Sequence, residues 1–489
     1  MAGLDIVVAN RAYLDHDTRE PVATEKEAGA GGLLAVMRPV IRPWRGDSGT
    51  AWVGAGRGAF DHDFVDERNS ETIDTPRGPL RLRRVFIGDE DWDGYYRITA
   101  NSFLWPLLHI TGEPLPALAT HYPEPATPSN AAWRAYVRTN RAFAAAALEL
   151  QPARSCWVHD YQLGLVPAAL REGGFTGKIG FFLHTPVPDI AVARPFFDAR
   201  GRELIARVVA GILGADMVGL QCEGDVRRFK AAAAVLNGAD VTADGLYFAG
   251  RHVRVSAHPV GIDVDEVLDI GRLAQPPARV SPLVGGDIPL VVGLERADFT
   301  KGIPERLDAL AAAYDAGARF HYAGYASPTR SGVEGYDQLN SIIEAKAAIL
   351  ARKATDAGCT FFHAHESIPW EEVIALMRDA DVVFTSSLSD GMNLVPLQAA
   401  AVQALAPPGR RATILCGRGA GVAETYRDCE GEGLLIVDPF DTHGMRNALM
   451  DAVAGRASRV SDLFIARIRE RDAKHWATRY LNELMGECP

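Results

Sequence analysis

The 489-residue chain is poor in cysteine: it has six, far apart, with no C-x-x-C pair. That spacing excludes a disulfide framework and a clustered thiolate zinc site, so Cys156, Cys222, Cys359, Cys416, Cys429 and Cys488 read as buried free thiols. The chain also lacks an apolar run long enough to cross a bilayer, a leader-like start, an internal repeat and a low-complexity tail. It is therefore expected to be cytoplasmic, with no membrane partner. Nor is there an excess of positive charge. A formal net charge of −11 argues against general nucleic-acid binding and directs attention to basic residues inside short motifs, which suit small anionic ligands.

What is present is globular: 47% hydrophobic and 23% charged residues. A chain of this length exceeds the size at which one core keeps growing, so two domains are expected. A Pro- and Gly-containing connection at 273–286 separates two series of alternating strand and helix patterns. We place the domains at 1–270 and 271–489, with the last helix, about 470–486, packing back on the first. The fold class is α/β, with two parallel-sheet domains. Whether the chain forms a homo-oligomer is left open.

Several apolar runs end in a turn that carries a polar or charged residue, the place where an open α/β sheet puts its ligand groups. The run 4–9 ends in Asn10 and Arg11. Strands expected at 155–163 and from 178 deliver Asp160 and His184 to one crevice. The strand from 288 leads into a loop with Arg296 and Lys301, a guanidinium fork and a point charge suited to clamping a diphosphate. The run 381–386 leads into Ser389-Asp390-Gly391-Met392-Asn393-Leu394-Val395 and then a helical pattern. Unpartnered N–H groups at that helix start, beside the Asp390 carboxylate, suit phosphates at one end of a ligand and sugar hydroxyls at the other. A small-residue turn at 28–32 offers further backbone amides. Dense aromatics at 93–97 and 103–109 include Tyr96 and Trp105, types that line sugar sites. Long helices are expected at about 131–150, 335–357 and 458–485.

Taken in order, the segments VANR (8–11), AGGL (30–33), YY (95–96) with LWP (104–106), WVHDYQL (157–163), GFFLHTPVP (180–188), HPVGID (258–263), ERADFTKGIPER (295–306), SPTRSG (327–332) and SDGMNLV (389–395) resemble the trehalose-6-phosphate synthase family over nearly the whole length. The resemblance implies a GT-B arrangement: two facing Rossmann-like domains with the site in the cleft. It also implies a retaining glycosyltransferase that moves glucose from a nucleoside-diphosphate glucose to glucose 6-phosphate, giving trehalose 6-phosphate. On that pattern Arg11, Tyr96, Trp105 and Arg330 grip the acceptor phosphate. Gly32, Arg296 and Lys301 hold the donor diphosphate, and His184, Asp390 and the backbone of Met392, Asn393 and Leu394 hold the transferred sugar. Asp160 falls between the two sugars. Catalysis is then chiefly electrostatic, with no enzymic nucleophile, no cofactor and no metal.

Three positions depart from the family. Gln398 stands where a glutamate grips the donor ribose, the segment 361–367 differs from the usual one near the nucleobase, and Ala55 replaces a second Trp near the acceptor. The donor base is thereby left open. So is a related reaction that joins a glucose-like cyclitol to another phosphorylated acceptor, and so is an inactive sugar-phosphate sensor.

Overall fold

The computed structural model describes residues 4–19, 32–46, 48–75, 78–112, 123–330, 332–333 and 335–487. The chain divides into two compact units. The first holds the described residues up to Gly112, then Glu124–Val260 and the helix Ala473–Met485; the second holds Gly261–Asp472. The first unit thus ends its main run at Val260 instead of at 270.

The first unit is built on strands β1 (Ile6–Arg11), β2 (Ala51–Gly56), β3 (Ser70–Thr75), β4 (Gly78–Phe86), β5 (Ser155–His159), β6 (Lys178–Phe182), β7 (Met217–Leu220), β8 (Asp240–Val241), β9 (Gly245–Phe248) and β10 (Arg251–Ala257). Their order is β3-β4-β2-β1-β5-β6-β7-β10-β9-β8. The run from β4 to β10 is parallel, while β3 and the β8–β9 hairpin are antiparallel edges. The central strands are apolar and closed on both faces, as strands covered by crossover helices must be. Connections run one way from β1 through β2 to β4 and the other way from β5 to β10, so the strand order reverses between β1 and β5. That reversal opens a crevice at the carboxyl ends of both strands.

The helix Ala473–Met485 lies on this sheet because the sheet is made flat for it. A Cβ at Gly180 or Gly219 would come within 2.5 Å of the Tyr480 ring or hydroxyl. Tyr480 stacks on Trp157 with ring centroids 4.2 Å apart and donates to the Phe181 carbonyl at 3.1 Å. The expected helix over 458–485 is two, Asp462–Glu470 in the second unit and Ala473–Met485 in the first. Residues 93–104 wind as a wide π-helix, in which the Thr99 and Ser102 hydroxyls donate to carbonyls five residues back, at 2.8 and 3.0 Å.

In the second unit, β11 (Leu290–Arg296), β12 (His321–Ser327), β13 (Phe361–Ala364), β14 (Val382–Phe384), β15 (Thr413–Gly417) and β16 (Leu434–Val437) form one parallel sheet in the order β13-β12-β11-β14-β15-β16. This is the Rossmann order, reversing between β11 and β14. Its core joins Val292 and Leu294 of β11 and Val383 of β14 to Leu397, Ala400 and Ala401 of the helix Val395–Val402. Cys156, Cys222, Cys359, Cys416 and Cys429 are free and buried, and Cys488 lies outside the described residues.

Candidate functional site

In the first unit, β1 ends at the switch with Arg11 exposed. Asn10, one residue earlier, accepts a hydrogen bond from the buried Tyr95 hydroxyl at 2.7 Å. Beside them opens a cavity of about 280 Å³ lined by Asn10, Arg11, Asp15, Ala55, Arg57, Trp92 and Tyr96. Its aromatic wall is stacked: Trp92 and Tyr96 lie 4.7 Å apart at 19°, and the Arg57 guanidinium sits 4.8 Å above Trp92. Behind the cavity the buried Arg84 pairs with Asp61 at 2.9 Å and Glu71 at 2.5 Å and reaches toward Asp15 at 3.7 Å. Burial, then the nearby Asp61, raises the Asp15 carboxyl above the usual range.

Across the switch, Asp160 follows β5 with φ +75°, an uncommon conformation for a residue with a Cβ and one that concentrates at functional sites. It ends the strand at His159, short of the expected 155–163. The Asp160 carboxylate accepts the His184 N–H at 3.3 Å, so the two residues expected in one crevice do meet. The His184 ring in turn lies 3.1 Å from the His159 ring, nitrogen to nitrogen, so one of them donates to the other. Burial pushes both imidazoles down, His159 well below its usual value and His184 to about 3. They stay neutral near pH 7.

In the second unit, Arg296 is the exposed last residue of β11. The next turn folds back sharply. Asp298 caps it by accepting Thr300 N–H at 3.1 Å, and Gly302, at φ +61°, closes it where a Cβ would come within 2.2 Å of the Ser386 carbonyl oxygen. The buried Arg306, paired with Glu295 and donating to the Phe384 carbonyl at 3.1 Å, ties this turn to β14. Burial keeps the Glu295 carboxyl raised even beside that cation.

The turn thereby delivers Lys301 to Asp390, and the two form an ion pair. Asp390 also accepts from the Gly391 N–H at 2.9 Å and from the Ser387 hydroxyl at 3.3 Å. Asn393, at φ +57°, donates to Ser387 at 3.0 Å and accepts the Val395 N–H at 3.2 Å in a local turn just before the helix Val395–Val402. The loop after β15 supports the turn from below: Asp390 N–H donates to Gly419 at 2.9 Å, and a Cβ at Gly419 would lie 2.0 Å from the Leu388 carbonyl oxygen. Met392 is buried, and Leu394 and Gln398 are half-buried. A carboxylate, an ammonium, an exposed guanidinium and the peptide groups before a helix are thus gathered at one strand-order reversal. The set can bind a diphosphate and a polyol together.

The expected phosphate-gripping residues are drawn from both units. Arg11 and Tyr96 share the first unit's cavity, and Trp105 is not among its lining residues; it is buried against His109 and Tyr161. Arg330 belongs to the second unit, where it pairs with the fully buried Asp298 and donates to Tyr336 at 3.3 Å. Gly32 starts the helix Gly32–Met37, and the small-residue turn before it lies outside the described residues. Sequence reasoning missed Asp15, Arg57 and Trp92 in the cavity. A signal for Arg57 exists: it stands two residues after Ala55, on the same side of an extended chain.

The sequence model of glycosyltransferase family 20 matches residues 4–486. A trehalose-6-phosphate synthase of Mycolicibacterium paratuberculosis is 30% identical, covering 99% of this chain and 96% of that protein. An alpha,alpha-trehalose-phosphate synthase (UDP-forming) of Yarrowia lipolytica is also 30% identical, over 82% of this chain and 83% of its own. Among solved structures, an alpha,alpha-trehalose-phosphate synthase (UDP-forming) from Burkholderia xenovorans in complex with glucose-6-phosphate superposes with a TM-score of 0.79 at 26% identity, covering 99% of this chain and 100% of that one.

Proposed function

The chain belongs to glycosyltransferase family 20, and from that premise we propose that it transfers glucose, with retention, from a nucleoside-diphosphate glucose to glucose 6-phosphate, giving trehalose 6-phosphate. It is a glycosyltransferase with two parallel-sheet domains of the GT-B type. The observation that carries the substrate reading is the Lys301–Asp390 pair beside Arg296 at the reversal between β11 and β14. An ammonium has three donors and Asp390 takes one, leaving Lys301 able to serve a phosphate oxygen as well.

In this reading the acceptor hydroxyl adds to the anomeric carbon on the face from which the diphosphate departs. The carbon–oxygen bond to the diphosphate breaks as the new one forms, and the acceptor proton passes to the leaving phosphate oxygen. Arg296 and Lys301 stabilise the charge that grows there, while Asp390, His184 and the backbone of Met392, Asn393 and Leu394 orient the sugar. Asp160 is assigned to the contact between the two rings, and Arg11 and Tyr96 to the acceptor phosphate. Gln398 meets the donor ribose, and Gly32 the diphosphate. Room left at Ala55 favours a second reading, in which the phosphorylated acceptor is broader than glucose.

The test is product analysis with UDP-, GDP- and ADP-glucose against glucose 6-phosphate, alongside cyclitol and amino-sugar phosphates. Trehalose 6-phosphate from at least one donor supports the reading. Binding without any product from this panel would sink it in favour of a sensor.

A further inference from the structure

We propose that His159 is a positioning residue that fixes the tautomer of His184, so that His184 meets its ligand with an Nδ1–H donor and not with a bare nitrogen. That the ligand is the transferred sugar rests on the functional reading above; the tautomer itself does not.

The two rings are joined through His159 Nδ1 and His184 Nε2, 3.1 Å apart. Only one proton lies in that contact, because two imidazolium rings would set N–H against N–H. Burial holds both rings neutral near pH 7. A neutral ring carries a single N–H, and the bond made by one nitrogen decides which of the two bears it. If His159 donates from Nδ1, its Nε2 is bare and His184 must hold its own proton on Nδ1. If His184 donates from Nε2, the remaining proton sits on His159 Nε2 and His184 Nδ1 is bare.

The surroundings choose between these. His159 is fully buried, and its Nε2 finds no partner among the described residues. Aromatic faces enclose the ring, with the Trp157 and Phe182 centroids 4.7 and 6.5 Å away. A buried N–H without an acceptor is rarer in folded proteins than a buried acceptor without a donor. The same aromatic group already holds one such N–H: Trp476, 5.1 Å from Trp157, has its buried indole nitrogen without an acceptor among the described residues. A second stranded N–H would add to that cost, so His159 is the donor and its Nε2 the bare nitrogen.

His184 is held so as to present its other nitrogen. Its peptide N–H donates to Asp160 at 3.3 Å, and its carbonyl accepts from Gln221 at 3.4 Å. The ring packs on Phe182 and Trp476, with centroids 4.7 and 6.1 Å away, and the residue is half-buried. The crevice then faces ligand hydroxyls with a donor, His184 Nδ1–H, beside an acceptor, the Asp160 carboxylate. The opposite tautomer would set two acceptors side by side, and a hydroxyl has only one proton to give.

The experiment is NMR of the full chain with nitrogen-labelled histidines near neutral pH, where protonated and bare imidazole nitrogens resonate far apart; His184→Gln identifies the His184 signals. In the wild-type chain His184 is expected to be protonated on Nδ1. His159→Phe removes the donor and should move the proton to Nε2 or divide it between the nitrogens. His159→Asn, whose amide N–H stands where Nδ1 stood, should keep it on Nδ1. The same chains are titrated with UDP-, GDP- or ADP-glucose, whichever product analysis selects, and with the matching nucleoside diphosphate. His159→Phe should weaken the nucleotide sugar about fivefold, the loss of one neutral hydrogen bond, and leave the diphosphate unchanged, with His159→Asn close to wild type. His184 protonated on Nε2 in the wild-type chain, or the same tautomer in wild type and His159→Phe, overturns the proposal whatever the chain's activity. The expected tautomers with equal nucleotide-sugar affinity in all three chains would overturn the assignment of His184 to the sugar and leave the role of His159 standing.

Discussion

Lys301 and Asp390, 89 residues apart in sequence, form an ion pair whose side chains are 9% and 13% exposed. The pair joins the loop after β11 to the loop after β14, the two loops on either side of the strand-order reversal. A pair so enclosed fixes geometry more than it adds stability, since desolvation offsets much of its attraction. Its value lies in holding a cation and a carboxylate side by side at that reversal, the arrangement the proposed transfer calls for.

Replacing Asp390 by Asn keeps the shape and leaves the Lys301 ammonium without its counter-charge. Turnover is expected to fall about a hundredfold or more. The folded state should lose on the order of 3 kcal/mol, the cost of breaking a largely buried pair from one side. Steady-state kinetics and calorimetric melting check both, and an unchanged melting temperature together with normal turnover would remove the pair from the site.

Arg296 is exposed at the end of β11, so Arg296→Ala should leave the melting temperature alone while removing a donor to the leaving phosphate. The expected loss in kcat is about 3 kcal/mol, or roughly a hundredfold. A variant with near-normal turnover would end the assignment.

The residues that stand at strand ends were readable in the sequence because an apolar run followed by a polar turn marks the carboxyl edge of a parallel sheet. Arg11, Asp160, Arg296 and Asp390 all follow that pattern. What the pattern does not carry is backbone conformation and pairing across loops. The reading of 155–163 as strand missed that Asp160 turns the chain at φ +75°. The periodicity of 458–485 is blind to the break at 471–472, where Arg471 leaves the helix and donates to the Thr425 carbonyl at 2.8 Å. Arg330 sits in a motif that implies a phosphate ligand, yet its partner Asp298 is 32 residues away and no local signal announces it. Asp15 comes from an irregular loop, where neither helical nor strand spacing applies.

The His159–His184 pair makes the first unit sensitive to acid. Both imidazoles titrate below their usual value in the fold, His184 at about 3, because burial disfavours the cation. Below about pH 6.5 the unfolded chain takes up protons that the folded chain refuses, so stability falls as pH drops, by up to about 1.4 kcal/mol per unit for each ring. The wild-type chain should therefore lose stability between about pH 6.5 and pH 3 more steeply than His159→Asn does. Denaturant titrations at pH 7 and pH 5 measure this, with about 2 kcal/mol expected between the two chains' losses. Parallel curves would show that the ring is not held neutral.

With Arg296 and Lys301 assigned to the diphosphate charge, transfer should need no divalent ion. Initial rates in excess EDTA are expected to equal those in magnesium, and a collapse in EDTA restored by one metal would show that the two cations do not suffice.

Gln398 lies half-buried in the first turn of the helix Val395–Val402, three residues after its start, with its N–H bonded to the Leu394 carbonyl at 2.9 Å. In the proposed reaction its side chain is assigned to the donor's ribose. An amide can hold a ribose hydroxyl, but a carboxylate does so with a charged bond, worth about 1.5–3 kcal/mol against about 0.5–1.5 for a neutral one. Gln398→Glu is therefore expected to tighten nucleoside-diphosphate-glucose binding about fivefold. The gain should appear in KM for the donor and not in KM for glucose 6-phosphate, because the ribose belongs to the donor alone. Donor titration of the two chains decides it: an unchanged or weaker affinity in the glutamate variant would mean that the ribose is held by other groups.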